Sequence, residues 1–290
     1  MKRKIVIIGS SGFIGRELHL RIKSMKMDAD IIPLSSKEID LTDLKSADQL
    51  NDIIDEKTMV FICAGIKKQL GDNLETFEKN VSIIRNCLKA EKLVSCKKTV
   101  FLSSAEVYGE NINNLKISEM TPCSPSSYYG LAKKHSEELL QIAYRKAVKK
   151  GLIIARMPLV YGPREIQNIY GPSGFAQSAL TQKTQILWGD GGEQRNFLFI
   201  DDLIKVLLFI VQSEFTGIIN IANSESNSFQ DIVNILKQKK LDLKLNLRPR
   251  TKEKVSQGYD ISSLKNLYPS FQPHSLQEGI DKLLPEMDRN

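Results

Sequence analysis

The sequence is poor in the residues that build disulfide frameworks and metal sites. Its 290 residues include four cysteines and three histidines. Cys63, Cys87, Cys96 and Cys123 lie far apart without metal-ligand spacing, and three of them lie in or beside apolar runs. Small buried thiols of this kind are typical of proteins in reducing compartments. We therefore expect free cysteines, a cytoplasmic location and no metal ion.

Long apolar runs are also absent. A membrane-spanning helix requires about 18 or more consecutive apolar residues, and no stretch of the sequence approaches that length. The basic segment Met1–Lys4 resembles the start of a signal peptide, but the apolar run behind it covers only Ile5–Ile8. This run is typical of a buried strand, so we expect no membrane association.

The positive charge is not concentrated in one segment. The formal net charge is +7, yet the basic residues are spread through helix-like segments and are not bunched with aromatic residues. A solvated surface explains this pattern better than a nucleic-acid site, so we expect no nucleic-acid partner. A phosphate-bearing substrate would also suit a basic surface.

Short apolar runs alternate with helical patterns through the first half of the chain. The runs are Lys4–Ile8, Asp30–Leu34, Thr58–Cys63, Thr99–Leu102 and Leu152–Arg156. This alternation predicts an α/β fold with a Rossmann-type, doubly wound parallel sheet. Loops rich in glycine and proline follow Tyr161. We therefore predict a dinucleotide-binding domain over 1–162, to which 197–222 return, and a small C-terminal α/β substrate-binding cap over 163–196 and 223–290.

A glycine-rich segment, Gly9–Gly15, directly follows the first apolar run and opens a helical pattern. The first glycine permits a tight turn, the second lets the backbone approach a pyrophosphate, and the third lets the helix pack on the strand. The helix N-terminus then offers N–H groups to phosphates. The segment predicts a dinucleotide site formed by Gly9, Ser11, Gly12, Phe13, Ile14 and Gly15.

The end of the second strand bears on the choice of cofactor. NAD sites usually place an acidic residue there, against the ribose hydroxyls. The sequence reads Leu34-Ser35-Ser36-Lys37, with no carboxylate at the strand end. Because hydroxyl groups and a lysine can bind a 2′-phosphate, Ser35 and Lys37 favour NADP(H) over NAD(H).

A serine, a tyrosine and a lysine form a candidate redox site. Ser104 follows the fourth strand, and Tyr129 and Lys133 are four residues apart, which places them on one helix face. A nearby ammonium lowers the pKa of a phenol. Such a tyrosine can take or give a proton while a hydride moves to or from a nicotinamide, and a serine hydroxyl can hold the same oxygen.

In this order the motifs resemble the extended short-chain dehydrogenase/reductases that act on nucleotide sugars, over nearly the whole chain. Further matching segments are Asp40-Leu41, Asn80-Val81, Ser103–Gly109, Arg156–Pro163 and Gly189-x-Gly191-x-x-x-Arg195-x-Phe197 before Asp201-Asp202. The resemblance implies that Ser104, Tyr129 and Lys133 are the catalytic set. It also implies further cofactor contacts, at Asp40, Leu41, Ala64, Gly65, Tyr129, Lys133 and Pro158.

The resemblance also implies how the substrate is held. Arg195 would pair with the diphosphate of a nucleotide sugar, and Ser104 would also contact the substrate. Arg250, in a segment ending at Glu253 and followed by Asp260, matches a second diphosphate arginine of the family. Two arginines suit bidentate recognition of a diphosphate. Alternatively, Arg250 belongs to a basic surface run with Arg248.

Three reactions share this fold and triad: C4 epimerisation, NADPH-consuming reduction of a 4-keto sugar, and 4,6-dehydration or decarboxylation. Glu106 matches the glutamate of family dehydratases, where it would act as an acid or base, but Ala105 is typical of epimerases. Glu106 could also position the sugar or lie on the surface. A non-catalytic NADPH sensor is an alternative of another class, against which the retained triad argues. Relatives often form homodimers through helices matching Phe77–Leu88 and Tyr129–Lys149.

Overall fold

The computed structural model describes residues 3–26, 28–145, 151–165, 171–251 and 253–287. Strands and helices alternate through its first part. In chain order they are β1 (Arg3–Ile8), α1 (Phe13–Ser24), β2 (Ala29–Leu34), α2 (Ser46–Ile53), β3 (Thr58–Ile62), α3 (Leu74–Lys89), α4 (Glu91–Ser95), β4 (Lys98–Leu102), β5 (Asn114–Ile117), α5 (Tyr128–Tyr144) and β6 (Gly151–Arg156). Short 3₁₀ turns cover Lys68–Leu70 and Ala105–Tyr108.

Shorter elements follow. They are β7 (Leu159–Tyr161), α6 (Gly171–Leu180), β8 (Gln185–Trp188), β9 (Gln194–Arg195), β10 (Phe197–Phe199), α7 (Ile200–Ile210), β11 (Gly217–Asn220), β12 (Asn227–Ser228), α8 (Phe229–Gln238), β13 (Leu245–Arg248), β14 (Gln257–Tyr259), α9 (Ser262–Leu267) and α10 (Leu276–Met287). Of the helix predicted over 129–149, residues 146–149 lie outside the described ranges.

Six strands form one sheet in the order β11-β6-β4-β3-β1-β2. The pairings from β2 through β1, β3 and β4 to β6 are parallel. The chain passes from β1 to β2 on one side and then crosses to β3 on the other. Beside β1 the strand order therefore reverses, which is where open parallel sheets bind ligands, at the carboxyl ends of the strands. The predicted Rossmann-type parallel sheet is confirmed.

The central strands are apolar on both faces because helices cover both sides of a parallel sheet. Every residue of β3 and β4 is buried. Cys87 and Cys96 lie in the same core as Val60 and Phe101. Helix α3 begins at a capping box in which the Asn73 side chain and the Thr76 side chain each bind the other's backbone, and it packs against α5.

The chain divides into two compact units. The first comprises Met1–Glu110, Pro122–Arg156 and Ile204–Ile219, and the second comprises Asn111–Thr121, Met157–Leu203 and Asn220–Asn290. The second unit contains small two-stranded sheets, β10–β7, β12–β9, β13–β8 and β14–β5. The division into a dinucleotide-binding domain and a substrate-binding cap stays a prediction. Within the described ranges, no helix has the length and hydropathy to cross a bilayer.

Candidate active site

The loop between β1 and α1 requires glycine at both ends. Gly9 has a φ of +87°, and its N–H donates to the Leu34 carbonyl at 2.7 Å. A Cβ on Gly9 would lie 2.5 Å from the Ala64 nitrogen, and one on Gly15 would overlap the Gly9 carbonyl oxygen. A side chain at either position would therefore push apart the loop, α1 and the end of β3.

The middle of this loop stays open. Gly12 precedes α1, and a Cβ there would meet only the Gly9 oxygen, at 3.4 Å. Among the described residues no side chain caps α1 at this end, and its first turn holds no acidic residue. Ser11 is exposed, Ile14 is half-buried and Phe13 is buried. The arrangement leaves backbone N–H groups available to a phosphate.

The end of β2 differs from the prediction. The Glu38 carboxylate turns back to Ser35, where it accepts a hydrogen bond from the backbone N–H at 2.7 Å and another from the hydroxyl. The Ser35 hydroxyl also accepts from the Lys37 N–H at 3.2 Å. These hydrogen bonds hold the pKa of Glu38 below its usual range. The expectation that no carboxylate lies at this strand end is therefore wrong, since a residue beyond the strand folds back onto it.

Asp40 and Leu41, which the resemblance implies as cofactor contacts, lie in the following loop. Asp40 is exposed, and its carboxylate accepts hydrogen bonds from the N–H and hydroxyl of Thr42, at 2.9 and 2.7 Å. The Leu41 side chain is buried, and its carbonyl accepts from the Asn86 amide at 2.8 Å. The side chain of Leu41 therefore belongs to the core, whereas Asp40 faces solvent.

The loop after β3 is fixed by Asn80. The Asn80 side chain accepts from the Ile66 N–H at 2.7 Å and donates to the Ile66 carbonyl at 3.1 Å. Ala64 lies against Gly9, and a Cβ on Gly65 would lie 3.3 Å from the Lys133 Nζ. These contacts bring the glycine loop, the end of β3 and Lys133 to one edge of the sheet.

The candidate triad lies at this same edge. Ser104 follows β4 and caps a 3₁₀ turn, its hydroxyl accepting from the Glu106 N–H at 3.2 Å. Tyr129 and Lys133 lie one turn apart on α5, with the Lys133 Nζ 5.9 Å from the tyrosine ring centroid. A Cβ on Gly130 would lie 2.7 Å from the Glu106 carbonyl oxygen, so glycine lets α5 approach the turn that carries Ser104.

The protonation of Tyr129 differs from the expectation that Lys133 lowers its pKa. Burial raises the pKa of Tyr129 to about 12, the Glu106 carboxylate adds to this rise, and a hydrogen bond with Ser104 opposes it. The Lys133 ammonium instead donates to the Leu102 carbonyl at 2.8 Å. Burial lowers the pKa of Lys133 to about 8, against the raising effects of Cys63 and Glu137. Tyr129 is therefore protonated at neutral pH.

Glu106 lies in a small charged cluster. The Lys68 ammonium is 3.8 Å from a Glu106 carboxylate oxygen and also binds Glu110. All three side chains are about one-third exposed or less. Glu106 lies beside the candidate triad, because its N–H donates to the Ser104 hydroxyl and its carbonyl oxygen lies against Gly130 on α5.

A buried ionic network, which the sequence motifs did not predict, lies next to the triad on α5 and β6. Glu137 is fully buried and accepts from Arg156 at 3.0 and 2.6 Å and from the Ser103 hydroxyl at 2.5 Å. The Arg156 guanidinium lies 4.8 Å from the Tyr108 ring centroid. Glu137 is four residues after Lys133, so the helical spacing that paired Tyr129 with Lys133 could have identified it.

The second unit brings the two predicted diphosphate arginines together. Arg195 on β9 and Arg250 after β13 both donate to the carboxylate of Glu193, Arg250 at 2.7 Å. This places Arg250 beside Arg195 rather than in a surface run with Arg248. Pro158 is half-buried between β6 and β7. Within the Arg250–Glu253 segment, Lys252 lies outside the described residues.

The family of the chain follows from a comparison with known proteins. The model of the NAD dependent epimerase/dehydratase family matches residues 5–222. The chain belongs to the NAD dependent epimerase/dehydratase family. It is therefore an enzyme of the extended short-chain dehydrogenase/reductase type, in agreement with the resemblance of its motifs.

Individual relatives match the chain over almost its whole length. It is 26% identical over 312 residues to the putative UDP-glucose 4-epimerase of Methanocaldococcus jannaschii, a match covering 99% of each chain. The crystal structure of the Thermotoga maritima UDP-glucose 4-epimerase with UDP-glucose has a TM-score of 0.85 at 22% identity, covering 99% of each chain. The Thermus thermophilus UDP-glucose 4-epimerase in complex with NAD has a TM-score of 0.82 at 20% identity, covering 98% of this chain and 99% of that one. At these identities the two structures show the fold.

Proposed function

We propose that this enzyme acts on a nucleotide-diphospho-sugar and moves a hydride at sugar C4 with a Ser104–Tyr129–Lys133 triad, as an epimerase. One observation carries the proposal. The triad lies at the carboxyl end of β4, on the sheet edge where the open glycine loop follows β1. A proton-transfer group is thereby placed beside a site for a dinucleotide.

The residues of the loop fit NAD(P). Gly12 leaves the backbone bare before an uncapped helix N-terminus, and Gly9 and Gly15 hold the loop against β3. We assign the pyrophosphate to this loop. When bound there, the nicotinamide would accept the hydride and return it.

The chain's own residues then manage the proton. Tyr129 is the group that exchanges a proton with the C4 oxygen, and Ser104 holds that oxygen by a hydrogen bond. Lys133 is buried, one turn from Tyr129, and its charge stabilises a phenolate when one forms. Tyr129 is protonated before the ligands bind. To remove a proton from the sugar, its phenol must therefore reach a lower pKa once cofactor and substrate are bound.

The two other family reactions are distinguished by Glu106. A dehydratase or decarboxylase would use this carboxylate as an acid or base, whereas a 4-keto reductase would consume NADPH once. Ala105 favours an epimerase. A non-catalytic NADPH sensor would have no use for Tyr129 beside Ser104.

We predict that Glu106→Gln lowers the pKa of Tyr129 from about 12, because a negative neighbour disfavours the phenolate. The tyrosinate absorbance is titrated in Glu106→Gln and in Glu106→Gln with Tyr129→Phe. The difference between these two curves is the titration of Tyr129. Glu110→Gln, which removes the other carboxylate of Lys68, is the control. An unchanged Tyr129 titration would contradict the placement of Glu106. A loss of turnover of about 10²–10⁴-fold would mark the dehydratase or decarboxylase role instead.

The cofactor preference depends on Glu38. Ser35 and Lys37 favour NADP(H). However, the Ser35 hydroxyl already donates a hydrogen bond to the Glu38 carboxylate, and this negative charge would repel a 2′-phosphate. We expect Glu38→Gln to shift the ratio of the NADP and NAD dissociation constants about tenfold toward NADP. Calorimetric titration of both cofactors measures this, with wild type giving the starting preference and Glu75→Gln, which removes an exposed carboxylate on α3, as the control. A ratio that Glu38→Gln leaves unchanged would exclude this role.

Two further proposals concern assembly and location. Leu74 on α3 and Leu131 and Ile142 on α5 are exposed apolar residues on helices that pack together. We propose that two copies pair through these helices. A monomer in sedimentation equilibrium would disprove this pairing.

The buried cysteines favour a cytoplasmic location, which fractionation of the source cells tests.

The proposed activity is tested with a panel of UDP-, GDP-, CDP- and dTDP-sugars and their 4-keto forms. Turnover without added cofactor is the result expected of an epimerase. Stoichiometric NADPH oxidation would instead indicate a reductase. If no nucleotide sugar is converted while NAD(P) still binds, the sensor alternative replaces the proposal.

A further inference from the structure

Glu193 lies between the two arginines in an unusual way. One of its carboxylate oxygens accepts from Arg195 and the other accepts from Arg250, at 2.7 Å. The three side chains are each 18–19% exposed. This carboxylate therefore bridges two guanidinium groups that belong to different segments of the chain.

Both arginines are held in place by other contacts as well. Arg195 also donates to the carbonyls of Val255 and Gln194, the latter at 3.0 Å. The Arg250 side chain packs against Gly189, where a Cβ would lie 2.6 Å from the Arg250 Nε. Its guanidinium also donates to the Asp190 carboxylate at 3.4 Å. Gly189 has a φ of +59°, so glycine is favoured there by both conformation and space. The convergence of the two arginines therefore does not depend on Glu193 alone.

The charges of the cluster are nearly balanced. Arg195, Arg250 and Lys254 face Asp190 and Glu193. A ligand carrying several negative charges would meet little net positive charge here. If Glu193 withdrew, the N–H groups of both arginines that it now binds would be available to a ligand, and paired guanidinium donors of this kind bind a diphosphate in bidentate fashion.

We propose that Glu193 occupies the diphosphate site as an internal substitute for the ligand, and that a nucleoside diphosphate binds Arg195 and Arg250 by displacing it. This inference rests on the proposed function, in which the substrate carries a diphosphate, and on the sequence resemblance that assigns this diphosphate to Arg195 and Arg250. Each binding event then breaks two charge-assisted hydrogen bonds before it forms new ones. Affinity for the diphosphate is lower than the arginine pair alone would give, and the site stays ordered when empty.

The test is calorimetric titration of the full chain, in excess NAD⁺, with inorganic pyrophosphate and with UDP, GDP, CDP and dTDP. We expect Glu193→Gln to bind pyrophosphate and the preferred nucleotide about tenfold more tightly than wild type, because the amide competes more weakly for the guanidinium groups. Asp190→Asn is the matched control, since it removes an equal charge from Arg250 without touching Arg195. It should change affinity less than about threefold.

Thermal unfolding provides a second readout. Without ligand, Glu193→Gln should unfold at a lower temperature than wild type, and the increase that pyrophosphate produces should be larger. A role of Glu193 in merely ordering the arginines predicts weaker binding by Glu193→Gln, and that result would overturn the proposal. An affinity equal to that of wild type would overturn it too.

Arginine variants separate this inference from the proposed function. Arg195→Gln and Arg250→Gln should each weaken binding about tenfold or more. If they do so while Glu193→Gln fails to tighten binding, the displacement of Glu193 is wrong and the diphosphate site stands. If neither arginine variant changes the affinity, the diphosphate binds elsewhere, and both the displacement and the assigned roles of the arginines are wrong.

Discussion

Replacing Tyr129 by phenylalanine is expected to lower turnover of the nucleotide sugar about 10²–10⁴-fold while leaving NAD binding nearly unchanged. The substitution removes only the hydroxyl that exchanges a proton with the sugar. The ring keeps its place one turn from Lys133, and the glycine loop is untouched. Steady-state rates on the substrate found by the panel measure the first effect, and calorimetric titration with NAD⁺ measures the second.

The neighbouring tyrosine is the matched control for this experiment. Tyr128 begins the same helix but is 43% exposed, and Tyr128→Phe should leave the rate within about twofold, as expected of exposed positions. A Tyr129→Phe enzyme that retained more than a tenth of the wild-type rate would remove Tyr129 from the proton-transfer role. Loss of NAD binding would show instead that the hydroxyl is structural.

Breaking the ion pair behind the triad should have the largest effect on stability. Arg156→Met leaves the Glu137 carboxylate fully buried with its strongest partner gone. Removing one member of such a pair typically costs about 3–5 kcal/mol of unfolding free energy, because the remaining charge is uncompensated. Urea unfolding at neutral pH measures the loss.

Two further variants identify the cause of that loss. The double variant Glu137→Leu with Arg156→Met removes both charges and should recover most of the stability. Arg164→Met breaks an exposed pair with Glu286, whose side chains are 40% and 47% exposed, and should cost less than about 1 kcal/mol. If the double variant were as unstable as Arg156→Met, shape rather than charge would explain the cost.

The sheet and the glycine loop were predictable because their signals are local. Each central strand is fully buried and contains an apolar run of at least three residues, and Gly9 and Gly15 are required by contacts within a few residues or at adjacent strand ends. Ser104, Tyr129 and Lys133 were also identifiable, since strand ends and helical spacing place them. The pairing of β5 with β14 was not predictable in this way, because it joins segments more than a hundred residues apart.

Side-chain partners were harder to predict than positions. Ser35 was predicted as a group that could bind a 2′-phosphate, but the Glu38 carboxylate accepts a hydrogen bond from its hydroxyl across a short loop whose conformation the sequence pattern does not specify. Lys133 was expected to lower the pKa of Tyr129, but burial raises this pKa, and the Lys133 ammonium donates its hydrogen bond to the Leu102 carbonyl. Glu193 contacts Arg250 across 57 residues. Such contacts depend on the packing of distant segments, which periodicity and motifs do not describe.

Turnover in D₂O tests the central proposal most directly, with the nucleotide sugar that the panel identifies and the product followed by NMR. A hydride that moves from C4 to bound NAD and back never exchanges with solvent. We therefore predict that the epimerised product carries no solvent deuterium at C4 after many turnovers. Deuterium at C4 would show that the carbon loses a proton rather than a hydride, and would contradict a redox role for the site around Ser104, Tyr129 and Lys133.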